Sequence, residues 1–186
     1  MPKPYIHFSR EEFAGRQQQV RNRMEDLSLD GLLLFKIEDM YWLCGFESDG
    51  FCIFHNMFIG TNGDLTHIAR PADLASVSYT SICEDVRISP DSEHVTRSSC
   101  IKDMLASHGM QGKRIGIQVD TIGLTPRLFL EIGDTLSGWC DLVVVDDFIR
   151  ELRLVKSPQE LAYFRKAGQI MDRVMAKVIE ATYPGA

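Results

Sequence analysis

The chain has 186 residues, of which 45% are hydrophobic and 25% are charged, and this composition is typical of an ordinary globular protein. Its 26 acidic residues exceed its 20 Lys and Arg residues, so the net charge of -6 disfavours binding to nucleic-acid phosphates. No apolar run approaches the ~20 residues needed to cross a bilayer, and the N-terminus lacks the apolar region of a signal peptide. We therefore expect a cytoplasmic protein that binds neither nucleic acid nor membranes.

The first two elements have clear local signals. Ser9 and Glu12 have the spacing of a capping box, and Phe8 and Phe13 stand where a hydrophobic staple would hold the start of a helix. Residues 32–35 form a continuous apolar run, which predicts a strand buried on both faces. Such a strand requires helices on both sides of its sheet.

A hairpin is predicted around Asn62-Gly63, a dipeptide that tolerates the positive φ angles of a type I′ turn. The flanking strands are residues 51–59 and 64–69. With a two-residue loop, Met57 would pair with Ile68, and His55 would lie directly opposite Arg70.

The remaining pattern alternates strands with helices. It predicts a helix opened by Pro71, a strand near 83–88, a helix near 92–107, a strand at 114–117, a helix from Thr125-Pro126 to about Leu136, and a strand at 142–145. Six strands and their intervening helices predict a three-layer α/β/α domain with a mixed six-stranded sheet.

The last part of the chain differs from this domain. Ser157 and Glu160 form a second capping box, which is followed by a long amphipathic helix. A long helix added to a complete α/β domain needs a surface to pack against. We therefore predict an α/β domain at 1–150, and at 151–186 a linker and helix leading toward a missing partner domain.

No catalytic or metal-binding motif is evident. The five cysteines are odd in number and widely spaced, which indicates reduced core thiols, and neither Cys-x-x-Cys nor His-Glu-x-x-His occurs. We assign no metal and no catalytic residue to this chain. Cys44 stays open as the nucleophile of a self-contained cysteine hydrolase, the least favoured interpretation.

His55 and Arg70 are candidate binding residues at the open end of the predicted hairpin. An Arg beside a His and an aromatic ring offers a fixed fork of donors to a carboxylate or another anion. The alternative is that Arg70 is a solvated strand end next to Pro71 and that His55 is a satisfied, half-buried residue.

Two segments resemble the N-terminal domain of the creatinase/prolidase family. Residues 38–46 resemble its Asn-x-x-Tyr-Leu-Thr-Gly-Phe stretch, although Trp42 and Cys44 stand in place of the usual Tyr and Thr. Residues 150–171 resemble the linker to a "pita-bread" metallohydrolase domain, and residues 183–185 are similar to the Pro-Gly at which that catalytic half begins. The resemblance implies a ribonuclease H-like fold of the creatinase N-terminal type.

The resemblance also implies a function for a longer protein. That protein would be a cytoplasmic, homodimeric or tetrameric hydrolase of the Xaa-Pro aminopeptidase, prolidase, creatinase or ectoine-hydrolase kind, acting on a small peptide or an amino-acid-derived substrate. A pair of divalent metals, Mn, Co or Zn, would be held by two Asp, one His and two Glu in the missing catalytic domain. None of these ligands can be placed here, so the chain alone is expected to be inactive.

In this family the N-terminal domain shapes the mouth of the active site and supports dimerisation. The resemblance therefore implies a substrate-binding role for four positions of this chain, Trp42, Phe51, His55 and Arg70. The alternative is a free-standing ligand-binding or partner-binding α/β module, whose last helix would use its apolar stripe as an interaction surface.

Overall fold

The computed structural model describes residues 4–90, 92 and 94–185. The chain divides into two units, Met1–Leu152 and Arg153–Ala186. The strands of the first unit are β1 (Gly31–Leu34), β2 (Asn56–Gly60), β3 (Leu65–Ala69), β4 (Asp85–Ile88), β5 (Arg114–Ile117) and β6 (Asp141–Val144). Its helices are α1 (Arg10–Asp26), α2 (Ile37–Cys44), α3 (Leu74–Thr80), α4 (Arg97–Ser107), α5 (Pro126–Leu136) and α6 (Phe148–Leu152), and the second unit contains α7 (Pro158–Ala181).

A mixed six-stranded sheet forms the middle layer, in the order β4-β3-β2-β1-β5-β6. β2 is antiparallel to both of its neighbours, whereas every other neighbouring pair is parallel. Five strands therefore run in one direction, and β2 alone runs in the other. This arrangement confirms the predicted three-layer α/β/α fold with a six-stranded mixed sheet.

The core lies on both faces of the sheet. Leu32 and Leu34 of β1 belong to one apolar cluster, which includes residues of α1 and α2, while Leu33 belongs to a second cluster with residues of α4 and α5. Successive side chains of a strand point to opposite faces, so a fully apolar strand supplies both clusters. The prediction of a strand buried on both faces is confirmed.

Three predicted helix starts are confirmed. The Ser9 hydroxyl accepts a hydrogen bond from the Glu12 backbone N–H at 3.1 Å, and the Phe8 and Phe13 rings lie 6.0 Å apart, edge to face. The Thr125 side chain caps α5, which spans the predicted residues. At α7 both bonds of the capping box are present, between Ser157 and Glu160. Caps are local interactions, which explains why the sequence reveals them.

The predicted hairpin register is wrong by one residue. Met57 pairs with His67 and Asn56 pairs with Ile68, so His55 does not lie opposite Arg70. The loop has three residues rather than two, because the Gly60 N–H bonds to the Asp64 carbonyl at 2.9 Å. Among the described turn residues only Gly63 has a positive φ, +97°, whereas a type I′ turn requires two such residues.

Three further expectations need correction. The first hairpin strand begins at Asn56 rather than at residue 51, and α4 begins at Arg97 rather than near residue 92; residues 91 and 93 lie outside the described residues. The helices α2 and α6 lie outside the predicted elements. Cys52 is exposed rather than a core thiol, although Cys44 and Cys83 are buried. In the described part of the chain, no helix is both long and apolar enough to span a membrane.

Candidate functional site at the carboxyl edge of the sheet

Five of the six strands end at one edge of the sheet, and β2 begins there. Lys36, Arg70 and Gln118 follow the carboxyl ends of β1, β3 and β5, and His55 immediately precedes β2. Open α/β sheets place their ligands outside the carboxyl ends of their strands. This edge is therefore the part of the fold in which to look for a site.

Arg70 and His55 meet through a residue that the sequence analysis missed. The Arg70 guanidinium donates two hydrogen bonds to the Asp73 carboxylate, at 2.8 and 3.2 Å. His55 Nε2 lies 3.6 Å from the same carboxylate, and His55 Nδ1 lies 3.3 Å from Nε2 of His67. The result is a continuous polar chain of four side chains running from Arg70 into the core.

Burial sets the protonation of the two histidines. Burial lowers the pKa of His67 to about 3, and the neighbouring His55 adds to the effect. Burial also lowers the pKa of His55, against the opposing attraction of Asp73. The hydrogen bonds from Arg70 hold the pKa of Asp73 below its ordinary value. At neutral pH both rings are therefore neutral, and the charges of Arg70 and Asp73 balance each other.

A phenyl ring closes the inner end of this polar chain. Phe46 is fully buried, and its ring centroid lies 4.9 Å from that of His55 and 4.5 Å from that of His67. Neutral imidazoles pack well against an aromatic ring, whereas protonated ones would lose hydration with little compensation. In this polar chain, the two histidines form the inner half and pack against Phe46. Arg70 and Asp73 form the outer half.

Trp42 is a core residue. It lies in α2 with only 5% of its surface exposed. The Arg16 guanidinium lies 5.2 Å from its ring and donates a hydrogen bond to its carbonyl at 3.0 Å. Any influence of Trp42 on a ligand must therefore act through the position of α2.

Phe51 is the most exposed of the four predicted site residues, with 59% of its surface accessible. It lines a groove of about 560 Å³ between the start of α2 and the loop that follows β5. The structure thus joins His55 and Arg70 in one polar chain and places Phe51 on a groove. Trp42 lies in the core.

Two residues of the network could have been found from the sequence. Asp73 lies three residues after Arg70, the spacing of a local ion pair. His67 shares a strand face with His55 once the hairpin has its three-residue loop, because cross-strand partners then sum to an even number. The wrong register hid that relationship.

The structure does not support Cys44 as a nucleophile. Burial raises the pKa of the Cys44 thiol to about 11, and its sulfur is fully enclosed. A nucleophilic cysteine needs an accessible thiolate. The described residues also contain no group of three or more His, Cys, Asp or Glu side chains that could hold a metal ion.

The comparison with known families identifies the domain. The profile of the Creatinase/Prolidase N-terminal domain matches residues 16–155, well over half of the chain. The chain belongs to this family.

Two curated relatives match along almost the whole chain. An uncharacterized hydrolase/peptidase, y4tM, of Sinorhizobium fredii is 27% identical over 190 residues, which cover 97% of this chain and 47% of that protein. The ectoine hydrolase of Halomonas elongata is 24% identical over 198 residues, with the same two coverages, 97% and 47%. The chain therefore spans about half the length of the curated relatives it matches.

Solved structures share the fold. The Xaa-Pro dipeptidase from Bacillus anthracis superposes on 94% of this chain with a TM-score of 0.77 and 16% identity, and the match covers 45% of that chain. For the dipeptidase PepE from Mycobacterium ulcerans the TM-score is 0.72 at 24% identity, over 96% of this chain and 46% of that one. The N-terminal domain of the peptidase PepQ from Mycobacterium tuberculosis matches with a TM-score of 0.58 and 14% identity. This match covers 98% of that domain and 74% of this chain.

Proposed function

We propose that this chain is the non-catalytic N-terminal domain of a cytoplasmic, metal-dependent hydrolase of the Xaa-Pro peptidase, creatinase or ectoine-hydrolase kind. The family match over residues 16–155 carries the proposal, together with the span of about half of each curated relative. In this proposal the domain supports a homodimer and shapes the mouth of the substrate pocket. The metal pair and its ligands belong to the other half of the protein.

The catalytic part of the proposal is tested by comparing two proteins. The 186-residue chain and the product of the complete reading frame are assayed with Mn²⁺, Co²⁺ or Zn²⁺ against Xaa-Pro dipeptides, creatine and ectoine. We expect metal-dependent hydrolysis by the longer protein alone, and the substrate cleaved identifies the substrate class. Hydrolysis by the short chain, or a reading frame that stops at residue 186, would contradict the proposal.

The pocket-mouth role rests on Phe51 and Arg70. Phe51 exposes most of its ring on the groove, and Arg70 is the outer member of the polar chain. In the complete hydrolase, Phe51→Ala and Arg70→Ala should each raise KM about tenfold with kcat little changed, since each removes binding that the ground state and the transition state share.

Each variant has a matched control. Tyr79→Ala removes an aromatic ring with the same exposure as Phe51, and Arg150→Ala breaks a comparable Arg–Asp pair three residues apart, with Asp147. Both controls should leave KM unchanged. If Phe51→Ala and Arg70→Ala behave like their controls, the pocket-mouth role is wrong.

The homodimer is tested by sedimentation equilibrium on both proteins. We expect a dimer of the complete hydrolase and measure whether the 186-residue chain retains it. A monomeric complete protein at assay concentration would contradict this part of the proposal.

A free-standing interaction module is the second candidate, and one feature of α7 favours it. This helix has no buried residue, and Phe164, Val174 and Ile179 are among its exposed apolar side chains. A contiguous exposed apolar stripe indicates an interaction surface. A reading frame ending at residue 186 would favour this candidate over the hydrolase.

A further inference from the structure

The groove beside Phe51 lies where the sheet reverses its connectivity. From β1 the next three strands, β2, β3 and β4, are added in turn toward one edge of the sheet. The chain then crosses over and adds β5 next to β1, toward the opposite edge. The groove opens between the residues that follow β1 and those that follow β5. Such a switch point leaves a crevice between neighbouring loops, and a volume of about 560 Å³ suits a small molecule.

The walls of this groove are fixed by buried contacts. Gln118 Nε2 donates to Asp39 Oδ2 at 2.7 Å, and both side chains are buried, so the end of β5 is tied to the first turn of α2. Asp146 Oδ1 accepts a hydrogen bond from the Asp120 backbone N–H at 3.1 Å. A Cβ on Gly123 would lie 2.5 Å from the carbonyl oxygen just past β1, which shows how closely this loop packs. The groove is therefore preformed.

Charges of both signs line the groove. Lys36 lies on the wall formed by the start of α2 together with Glu38, and Asp120 lies on the opposite wall. Within residues 4–90, 92 and 94–185, no ion pair engages any of these three side chains. Phe51 and Ile122, with 59% and 68% of their surfaces exposed, add apolar area.

We propose that this groove binds a small zwitterion with an apolar side group, such as a free aliphatic amino acid. Lys36 would bind the carboxylate, and Asp120 and Glu38 would bind the ammonium group. Phe51 and Ile122 would cover the side group. A ligand that carries both charges matches a groove whose lysine and two carboxylates are not paired with one another. The proposal goes beyond the proposed hydrolase domain and requires no catalysis.

The test is an NMR titration of the ¹⁵N-labelled 186-residue chain with L-leucine. The proposal requires a Kd of about 10 mM or tighter, and at that affinity titration to about 50 mM occupies most of the sites. We expect saturable shifts at the amides of the α2 start and of residues 119–124. Leucinamide lacks the carboxylate, N-acetyl-leucine lacks the ammonium group and glycine lacks the side chain, so each should bind about tenfold more weakly.

Charge variants separate the two ends of the ligand. Lys36→Gln should weaken leucine binding about tenfold and leave leucinamide binding unchanged. Asp120→Asn should weaken leucine binding and leave N-acetyl-leucine binding unchanged. Lys166→Gln and Asp134→Asn are matched controls at exposed positions on α7 and α5, and both should bind leucine normally.

The outcomes that overturn the proposal are distinct. Absence of saturable shifts at the groove excludes the site. Leucinamide binding as tightly as leucine assigns the groove to a cation, and N-acetyl-leucine binding as tightly assigns it to an anion; either result contradicts a zwitterion site. None of these outcomes depends on hydrolysis, so failure here leaves the proposed hydrolase domain to its own test.

Discussion

Arg16 is a buried cation that connects α1 to α2. Only 3% of its surface is exposed, and its guanidinium lies 3.1 Å from the Glu12 carboxylate and 4.1 Å from the centroid of the Phe8 ring. It also donates to the carbonyl of Trp42 at 3.0 Å. A planar group with several donors can satisfy all these neighbours at once, whereas an ammonium cannot.

Removal of this guanidinium should destabilise the fold. Arg16→Ala is expected to lower the free energy of unfolding by about 3 kcal/mol, since it breaks a buried ion pair and leaves a cavity between aromatic rings. The free energy of unfolding of Arg16→Lys should be closer to that of Arg16→Ala than to that of the parent chain. Urea unfolding measures both changes, and the exposed Arg10→Ala, also in α1, should stay within about 0.5 kcal/mol of the parent. A comparably small effect of Arg16→Ala would show that the buried pair is unimportant.

The two buried histidines make stability depend on pH. Folding lowers the pKa of His67 from its ordinary 6.5 to about 3 and lowers that of His55 in the same direction. The unfolded chain therefore binds more protons than the folded chain below pH 6.5. This contribution to stability is complete above that pH and is lost as the pH falls toward 3. Asp73, with its pKa lowered by Arg70, loses its contribution only at more acidic pH.

Between pH 7.5 and 5 the free energy of unfolding should fall by about 2 kcal/mol from His67 alone. His67→Gln should flatten this part of the profile, whatever its effect at pH 7.5. Urea unfolding at several pH values measures the slope. His94→Gln, at an exposed position, should keep the parent slope. An unchanged slope in His67→Gln would contradict the neutral, buried state of this ring.

At the scale of elements, the hairpin loop depends on one glycine. Gly63 has a φ of +97°, a conformation that side chains with a Cβ rarely adopt. Gly133 lies within α5, where a Cβ would meet no atom within 4 Å. The same substitution should therefore have opposite effects at the two positions.

Gly63→Ala should lower the free energy of unfolding by about 1–2 kcal/mol, because alanine is strained in this conformation. Gly133→Ala should raise it by about 0.5–1 kcal/mol, because alanine has the higher helix propensity. Urea unfolding measures the free energy of unfolding of both variants, and the m-value should be the same as in the parent chain. Equal effects of the same sign would show that the backbone conformation does not determine the outcome.

Local signals determine some elements and fail for others. Thr125 with Pro126 defines the start of α5, since capping and a preset φ act within one turn. α2 has only eight residues and is buried around most of its circumference, so it lacks the polar face that reveals an amphipathic helix. Its αL glycine, Gly45, was the available signal for its end. The hairpin register failed because the same Asn-Gly pair serves both two-residue and three-residue loops.

At the scale of the whole molecule, the first unit contains both core clusters. All the buried residues of those clusters lie between Val20 and Ile149, and α7 has no buried residue. We therefore expect Met1–Leu152 to fold by itself. Urea unfolding of a chain ending at Leu152 should give the parent midpoint and free energy within about 0.5 kcal/mol. A large loss of stability on this truncation would show that the core needs the second unit.

The sequence by itself determined the class of fold, the order of its strands along the chain, most of its helices, and the family. These depend on hydrophobic period, caps and local motifs, which are properties of neighbouring residues. The tertiary structure decided the site. Which side chain lies beside His55 depends on the hairpin register, and Lys36 and Asp120 face one groove only because β5 pairs with β1 across a long crossover. Contacts between residues distant in sequence arise from packing, which no local pattern specifies.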